Sequence, residues 1–245
     1  MKPVHHALVS SRLFGGDWTA YEPLHTAFDC SKMALGDMRH RAALHSADHG
    51  GKVMAMRFGA QPWPGATLDQ LVAQHMDDDQ GFQVTLDDWM NACSVPAGLA
   101  PGRRPGPQAA FLSAPEEACA AKWGGQPEDY ADVCAYFALP ESCSDHPLAP
   151  AVSRNTFGVF FAESIFGPAL TVTHHGRPRL VCVRDIGEDL TIARYGRLPT
   201  LGEVFAQMRK EDWMFGARVR QSRAERCAAS GRTDLFDEQL HASAD

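Results

Sequence analysis

The sequence lacks the features that mark several classes of protein. No apolar run approaches the ~18 residues that a membrane-spanning helix needs, so we expect no membrane segment. The first residues, MKPVHHALVSS, have no apolar core of the kind found in secretion signals. The seven cysteines are odd in number and form no CxxC pair, which favours reduced thiols over a disulfide framework. Together these absences predict a cytoplasmic protein, in the host cytoplasm if a phage encodes it.

The chain also lacks an excess of basic residues. Its 23 Lys and Arg are outnumbered by 30 Asp and Glu, and a net charge of -7 argues against a general nucleic-acid binder, which needs a basic surface. A small anionic ligand held by a few arginines stays compatible with this charge. The 245 residues and 44% hydrophobic content are ordinary for a globular protein with one large or two small domains.

What the sequence does contain is an internal repeat. Three blocks recur in the same order: FGG at 14–16 as WGG at 123–125, Phe58-Gly59 as Phe166-Gly167, and VTLDDW at 84–89 as PTLGEV at 199–204. We therefore divide the chain into a first repeat (1–94), a Pro/Gly linker (95–113), a second repeat (114–216) and a polar C-terminal tail (217–245).

Apolar periodicity and capping residues predict a mainly α fold, made of two divergent tandem units with one β-hairpin in the second. The predicted helices are 5–14, 20–32, 33–46, 52–57, 68–76, 86–92, 157–166, 188–194 and 200–210. The predicted hairpin has strands at 170–174 and 179–183. In the first repeat the shorter loop QPWPG, at 61–65, takes the place of this hairpin.

Candidate functional residues concentrate in the segment LHTAFDCSKMALGDMRHRAALH, at 24–45. On a helix, His25 and Asp29 share one face, and His75 and Asp79 form a second pair with the same spacing. The second repeat keeps the glycines and aromatics of the first but replaces these polar residues. The replacements are Cys134 for His25, Ala138 for Asp29, Ala149 for His40, Arg154 for His45, Leu190 for His75 and Arg194 for Asp79. We interpret the first repeat as functional and the second as scaffold.

This pattern predicts a site for a divalent transition metal: zinc, iron or manganese. The predicted ligands are His25, Asp29, His40, His45 and His75, with His5 or His6 further out. Imidazole and carboxylate ligands suit these metals, and an open coordination position would activate water for hydrolysis. The substrate would be small and anionic, with a phosphoester favoured. The predicted catalytic residues are Asp29, Arg39 and Arg41, of which the two arginines would hold the anion.

Other interpretations of these residues stay open. The histidines can be structural, or hold a structural metal, in a non-enzymatic phage or bacterial accessory protein that binds a protein partner. A homo-oligomer is compatible with either function. The thiol set Cys134, Cys143 and His146 has a spacing that fits no common zinc module. The acidic run Asp77 to Asp79 is typical of a solvated helix end.

The assembled blocks resemble a family of short, His-rich bacterial and phage proteins classed as a domain of unknown function. The first repeat matches its pattern with HHALVSSRLFGG, LHTAFDCSK, RHRAALH and QHMDDDQGFQVTLDDW. The second repeat matches with GVFFAESIFG, RLVCVRDIGED and GRLPTLGEV. The resemblance covers most of 4–92 and 118–216, and it implies a fold and candidate positions but no established activity. An intact family unit with both histidines and hairpin would need parts of both repeats.

Overall fold

The computed structural model describes residues 2–99 and 110–215. Within these residues the chain is mainly helical and carries one two-stranded antiparallel sheet, as the sequence predicts. No described helix has the length and apolar content that crossing a bilayer requires. The predicted tail at 217–245 and the centre of the predicted linker lie outside the described residues.

The α-helices of the first repeat are α1 (Pro3–Phe14), α2 (Glu22–Asp29), α3 (His49–Phe58), α4 (Leu68–Gln80) and α5 (Leu86–Asn91). Short 3-10 helices lie at Trp18–Ala20, Cys30–Met33, Met38–Ala43 and Ala97–Leu99. The helices that follow are α6 (Ala110–Ser113), α7 (Pro115–Trp123), α8 (Ala131–Ala138), α9 (Thr156–Phe166), α10 (Val183–Tyr195) and α11 (Leu201–Val204). The hairpin strands are β1 (Ala169–His174) and β2 (Arg177–Cys182), and further 3-10 helices lie at Pro127–Tyr130, Leu139–Ser142, Ala149–Val152 and Asp212–Phe215.

The two repeats share contacts as well as sequence. The Tyr21 hydroxyl donates to the Gly15 carbonyl at 2.7 Å, and the Tyr130 hydroxyl donates to the Gly124 carbonyl at 2.6 Å. Both glycines end a helix at positive φ, which glycine adopts without strain. The same side chain therefore ties the same helix end to the following helix in each repeat.

A close glycine contact recurs as well. A Cβ on Gly50 would collide with the Leu44 carbonyl, and a Cβ on Gly158 would collide with the Ser153 carbonyl. Neither position accepts a side chain without backbone movement. The chain therefore enters α3 and α9 in the same way, and Leu44 and Ser153 occupy equivalent positions.

Two predicted helices in the first repeat are wrong in extent. The helix predicted at 20–32 begins later, at Glu22, because Pro23 suits the first turn of a helix but not its interior. It also ends earlier, at Asp29, and the chain continues as the 3-10 helix Cys30–Met33. The helix predicted at 33–46 is reduced to the 3-10 helix Met38–Ala43.

Other helix ends also differ. α3 and α10 begin earlier than predicted, and the helix predicted at 200–210 stops at Val204. The important difference is α4, predicted at 68–76. Thr67 starts this helix with a capping box, as expected, but the helix continues until left-handed Gly81 ends it. This extra turn brings the acidic run of α4 into the core.

The hairpin is present where the sequence predicts it, with a tighter turn. Only His175 and Gly176 connect the strands, and both have positive φ (50° and 72°). This is the backbone conformation that a two-residue hairpin turn requires. The second strand, predicted at 179–183, accordingly begins two residues closer to the turn, at Arg177.

In the first repeat the QPWPG loop occupies the place of the hairpin. A Cβ on Gly16 would touch Pro64 of this loop, whereas a Cβ on the equivalent Gly125 would touch Val172 of β1. The Tyr21 hydroxyl also donates to the Pro64 carbonyl. The loop and the hairpin therefore cover the same part of their respective repeats.

The repeats pack against each other through α3 and α9 and through the last described segment. The Arg209 amide donates to the Ala92 carbonyl at 2.7 Å, and the rings of Trp89 and Trp213 lie 4.7 Å apart. Trp89 is fully buried. The end of the second repeat therefore forms part of the wall of the first.

One buried histidine stands apart from the others. His49, in the first turn of α3, is 2% exposed, and neither of its ring nitrogens has a hydrogen-bond partner among the described residues. Burial lowers the pKa of His49 to about 4. Because Gly50 and Gly158 are equivalent, the residue of the second repeat that corresponds to His49 is Phe157, which is also buried.

We expect His49→Phe to weaken the pH dependence of the free energy of unfolding. Unfolded His49 gains a proton below its ordinary pKa of 6.5, but the folded, buried ring resists protonation down to about pH 4. The wild type therefore loses stability as the pH falls through this window, and His49 accounts for about 2 kcal/mol of the loss between pH 7 and 5. Urea unfolding at both pH values measures the difference.

The reciprocal variant Phe157→His serves as the matched control, since it places a histidine at the equivalent buried position and should steepen the pH dependence. If His49→Phe and wild type lose the same stability between pH 7 and 5, the ring of His49 is protonated in the folded protein and this account of it is wrong.

Candidate metal centre

Four stretches of the first repeat converge on one point in its core. The side chains come from α1 (His6, Ser10), α2 (His25, Asp29), the segment 38–45 (His40, Arg41, His45) and α4 (Gln74, His75, Asp78, Asp79). On each helix the contributing residues are four apart, which places them on one face. The longer α4 adds the two aspartates to this set.

The centre of this arrangement is the Nε2 atom of His45. It lies 3.1 Å from His75 Nε2, 3.3 Å from Asp79 Oδ2 and 3.6 Å from Asp29 Oδ1. We call Asp29, His45, His75 and Asp79 the His/Asp cluster. One ligand atom from each residue lies within 4.8 Å of the others, and no other group of three or more metal-binding side chains in residues 2–99 and 110–215 is as close. This buried group can hold a metal ion.

The three distances from His45 Nε2 are close to those between the ligands of a metal ion, since ligand atoms at 2.0–2.2 Å from a tetrahedral zinc are separated by about 3.3 Å. The four ligand atoms all lie within 4.8 Å of one another. Burial and the charges of neighbouring imidazoles hold the pKa of His75 well below its ordinary value, so its ring is neutral and offers a lone pair. Two imidazole nitrogens and two carboxylates thus lie close enough together to hold a metal ion.

The carboxylates of the cluster are ionised. Burial would raise the pKa of Asp29, but the adjacent His45 and Lys32 outweigh it and lower this pKa to about 2. Burial would likewise raise the pKa of Asp79, yet His45, His6 and Arg41 hold it well below the ordinary range. Both groups are therefore in the form that binds a metal at neutral pH.

His25 is not a member of the cluster but contacts one of its members, His75. Its Nδ1 is 2.9 Å from His75 Nδ1, and its Nε2 is 2.8 Å from the Ser10 hydroxyl, which donates to Gln74 at 2.6 Å. Burial, reinforced by His6, lowers the pKa of His25 to about 3, so its ring is neutral. If His75 donates from Nδ1 to His25, His75 Nε2 is left as a lone pair that faces the cluster, which is how second-sphere residues orient ligands.

His6 lies on the other side, against the acidic end of α4. Its Nδ1 is 3.1 Å from Asp78 Oδ2 and its Nε2 is 3.4 Å from Asp79 Oδ1. Burial opposes protonation of His6, but Asp78 and Asp79 outweigh it and raise its pKa above the ordinary value. The prediction of a solvated acidic helix end is therefore wrong for these two aspartates, which are 7% and 3% exposed.

His40 approaches the cluster from the segment 38–45. Its Nδ1 is 2.6 Å from the Asp37 carbonyl, so this nitrogen carries the proton. Its Nε2 then presents a lone pair, 3.9 Å from Asp29 Oδ1, and this atom has no hydrogen-bond partner among the described residues. Burial and His45 lower the pKa of His40 to about 4. Whether His25 and His40 join the ligands stays a prediction.

The two arginines of this segment are engaged within the protein. Arg39 binds Asp37, with its Nη2 2.7 Å from Oδ2, and also donates to the Phe205 carbonyl at 3.0 Å. Arg41 lies 3.2 Å from Asp79 Oδ1 and donates to the Met214 carbonyl at 3.1 Å. These contacts fix the two side chains, and Arg41 touches the cluster whereas Arg39 does not touch it in any described contact. A role for either in substrate binding stays a prediction.

The second repeat fills the same region with a different set of interactions. In place of Ser10 and His25 it has Cys119 and Cys134, which form a thiol hydrogen bond. In place of His45 and Asp79 it has Arg154 and Arg194, each 2.8 Å from a carboxylate oxygen of Glu141. These three side chains form ion pairs and do not direct lone pairs at a common point, so the candidate centre belongs to the first repeat alone.

The thiol alternatives do not form a site in the described residues. Burial raises the pKa of Cys30 to about 12, so this thiol is protonated and a poor nucleophile. Cys134 is hydrogen-bonded to Cys119, and Cys134, Cys143 and His146 do not form a close group among the residues that the structure describes.

Neither Asp78 nor Asp79 is among the ligands predicted from the sequence, and sequence reasoning did not identify Ser10 or Gln74. The available signal was the spacing of four on one helix: Ser10 follows His6, and Asp78 follows Gln74. Small polar residues at such positions are common on exposed helix faces, so the spacing alone does not distinguish a second sphere from a solvated surface.

Comparison with known proteins places the chain in a family. The sequence pattern described as "Domain of unknown function (DUF6915)" matches residues 1–98 and 114–214, which is well over half of the chain. No curated protein and no solved structure matches the chain significantly. The two matched segments are consistent with the repeat seen in the sequence and the fold. The chain therefore belongs to the DUF6915 family, whose function is unknown.

Proposed function

We propose that this protein is a metal-dependent enzyme of hydrolase type, with its metal centre in the first repeat. The observation that carries the proposal is the convergence of two imidazole nitrogens and two buried carboxylates, with one ligand atom of each residue within 4.8 Å of the others. The ligands would be Asp29, His45, His75 and Asp79, and the metal would be zinc, iron or manganese. Buried carboxylates either pair with cationic side chains or bind a metal ion.

The choice of donors supports an enzyme. Structural zinc sites are mostly built from cysteines, whereas histidine and carboxylate sets are typical of centres that act on water and anions. A bound divalent metal would lower the pKa of a coordinated water and stabilise negative charge on a phosphoester. His40 Nε2, a free lone pair beside Asp29, is placed to accept a proton there.

The second candidate function is a non-enzymatic partner-binding protein whose cluster is structural. Two observations favour it. The cluster residues are at most 4% exposed, and Lys32 and Arg41 already lie 2.7 and 3.2 Å from the two carboxylates, where they neutralise them. A cytoplasmic location and assembly into homo-oligomers stay predictions with either function.

We expect tag-free protein to bind about one equivalent of a divalent transition metal per chain. Asp79→Asn should weaken binding by about a hundredfold or more, since even second-sphere changes around a metal cost 10- to 100-fold. The asparagine keeps the size of the side chain but loses the charge that the metal needs. Metal titration with cobalt(II), whose visible spectrum reports a four-coordinate site, measures both affinity and geometry.

The double variant His174→Gln, His175→Gln is the matched control, because this pair at the hairpin turn, of which His175 is exposed, can bind metal adventitiously. Its loss should leave the stoichiometry unchanged. If this variant abolishes binding and Asp79→Asn does not, the metal is held at the hairpin and the proposed centre is wrong.

The enzyme and the structural candidate differ in the response to metal removal. The enzyme predicts that a chelator abolishes hydrolysis of bis(4-nitrophenyl) phosphate while the circular dichroism spectrum is retained. It also predicts that His40→Gln keeps the metal but lowers the rate by about a hundredfold, as expected for loss of a proton acceptor. Absence of turnover combined with unfolding on chelation would instead support a structural metal.

A further inference from the structure

A cavity of about 430 Å³ lies between α2, α3 and α9, where the two repeats meet. Much of its wall is apolar and includes Met33, Phe160 and Phe161. Met33 and Phe160 are 76% and 48% exposed and therefore present apolar surface at the cavity. Its size and lining are those of a small-molecule site. We call it the Arg57 cavity after its one basic residue.

Arg57, which lines this cavity, packs against aromatic rings. Its guanidinium carbon lies 5.1 Å from the ring centre of Phe58 and 5.4 Å from that of Phe161, within the range of cation–π contacts. No carboxylate among residues 2–99 and 110–215 forms an ion pair with it. The Arg57 side chain is of intermediate exposure, and burial lowers its pKa.

This arrangement is not explained by packing alone. A half-buried guanidinium without an anionic partner is costly, and the second repeat has Ile165 at the position that corresponds to Arg57. Glu22, Pro23, Thr26 and Ala27 of α2 line the cavity, whereas no residue of the His/Asp cluster lines it, so the Arg57 cavity is distinct from that cluster. A planar guanidinium is suited to bind a carboxylate with two hydrogen bonds.

We propose that the Arg57 cavity binds a small monocarboxylate with an apolar body. The apolar walls receive the body and Arg57 binds the carboxylate. Glu22 lies on the same wall, and its negative charge disfavours a ligand with a second charge, such as a phosphate monoester. The site requires nothing of the metal centre, so it stands whether or not the His/Asp cluster binds a metal.

Calorimetric titration of the full-length protein with ligands that share one octyl chain tests this proposal. Octanoate should bind, and 1-octanol, octylamine and octyl phosphate should each bind at least about tenfold more weakly. Arg57→Gln should weaken octanoate binding about ten- to a hundredfold and leave 1-octanol unaffected, because only the charged contact is lost. Phe160→Ala should weaken the binding of octanoate and of 1-octanol together.

Arg209→Gln, which changes an arginine outside the cavity, is the matched control and should bind octanoate like the wild type. Equal binding of octanoate and 1-octanol, or unchanged octanoate binding by Arg57→Gln, overturns the proposal. Tighter binding of octyl phosphate than of octanoate overturns the choice of a monocarboxylate. Metal content measured on the same samples keeps this result separate from that of the metal centre.

Discussion

The burial of two ionised carboxylates among several imidazoles is the constraint on which the first repeat depends. Asp29 and Asp79 lose nearly all of their hydration, and a buried charge is tolerated only when other groups replace the lost water. Lys32 and Arg41 supply positive charge from the rim, and His45 bridges the two carboxylates. Around this core, a series of hydrogen bonds runs from His75 through His25 to the Ser10 hydroxyl. These hydrogen bonds determine which imidazole nitrogens carry protons. Because the members of this buried network are hydrogen-bonded to one another, a shift of one side chain leaves its neighbour without a partner. The network therefore specifies one arrangement of these side chains.

The second repeat shows that the architecture does not need this network. It has the same tyrosine tie at a helix end and the same glycine contact before its long helix, so the framework is equivalent. In the corresponding space it places two thiols, a leucine and an ion-paired triad of two arginines and Glu141, which do not direct lone pairs at a common point. The comparison within one chain separates residues that the fold needs from residues that it does not need.

Much of the fold follows from local signals in the sequence. Thr67, Thr85 and Gly81 mark helix ends through caps that act over a few residues, and the hairpin turn at His175-Gly176 is equally local. The candidate site follows only in part. The i, i+4 pairs and their absence from the second repeat pointed to the repeat that contains the His/Asp cluster, but the position of Asp79 depends on one extra turn of α4. The engagement of Arg39 and Arg41 depends on carbonyls more than 160 residues away, which no local pattern contains.

The central claim is that the first repeat uses its buried imidazoles and carboxylates to hold a metal ion. An anomalous-scattering map from crystals of tag-free protein, grown with zinc or manganese, tests it most directly. The account predicts one strong peak at about 2.0–2.2 Å from His45 Nε2, His75 Nε2 and oxygens of Asp29 and Asp79. A first repeat without a peak, in which His45 and His75 remain in direct hydrogen-bond contact, would contradict it.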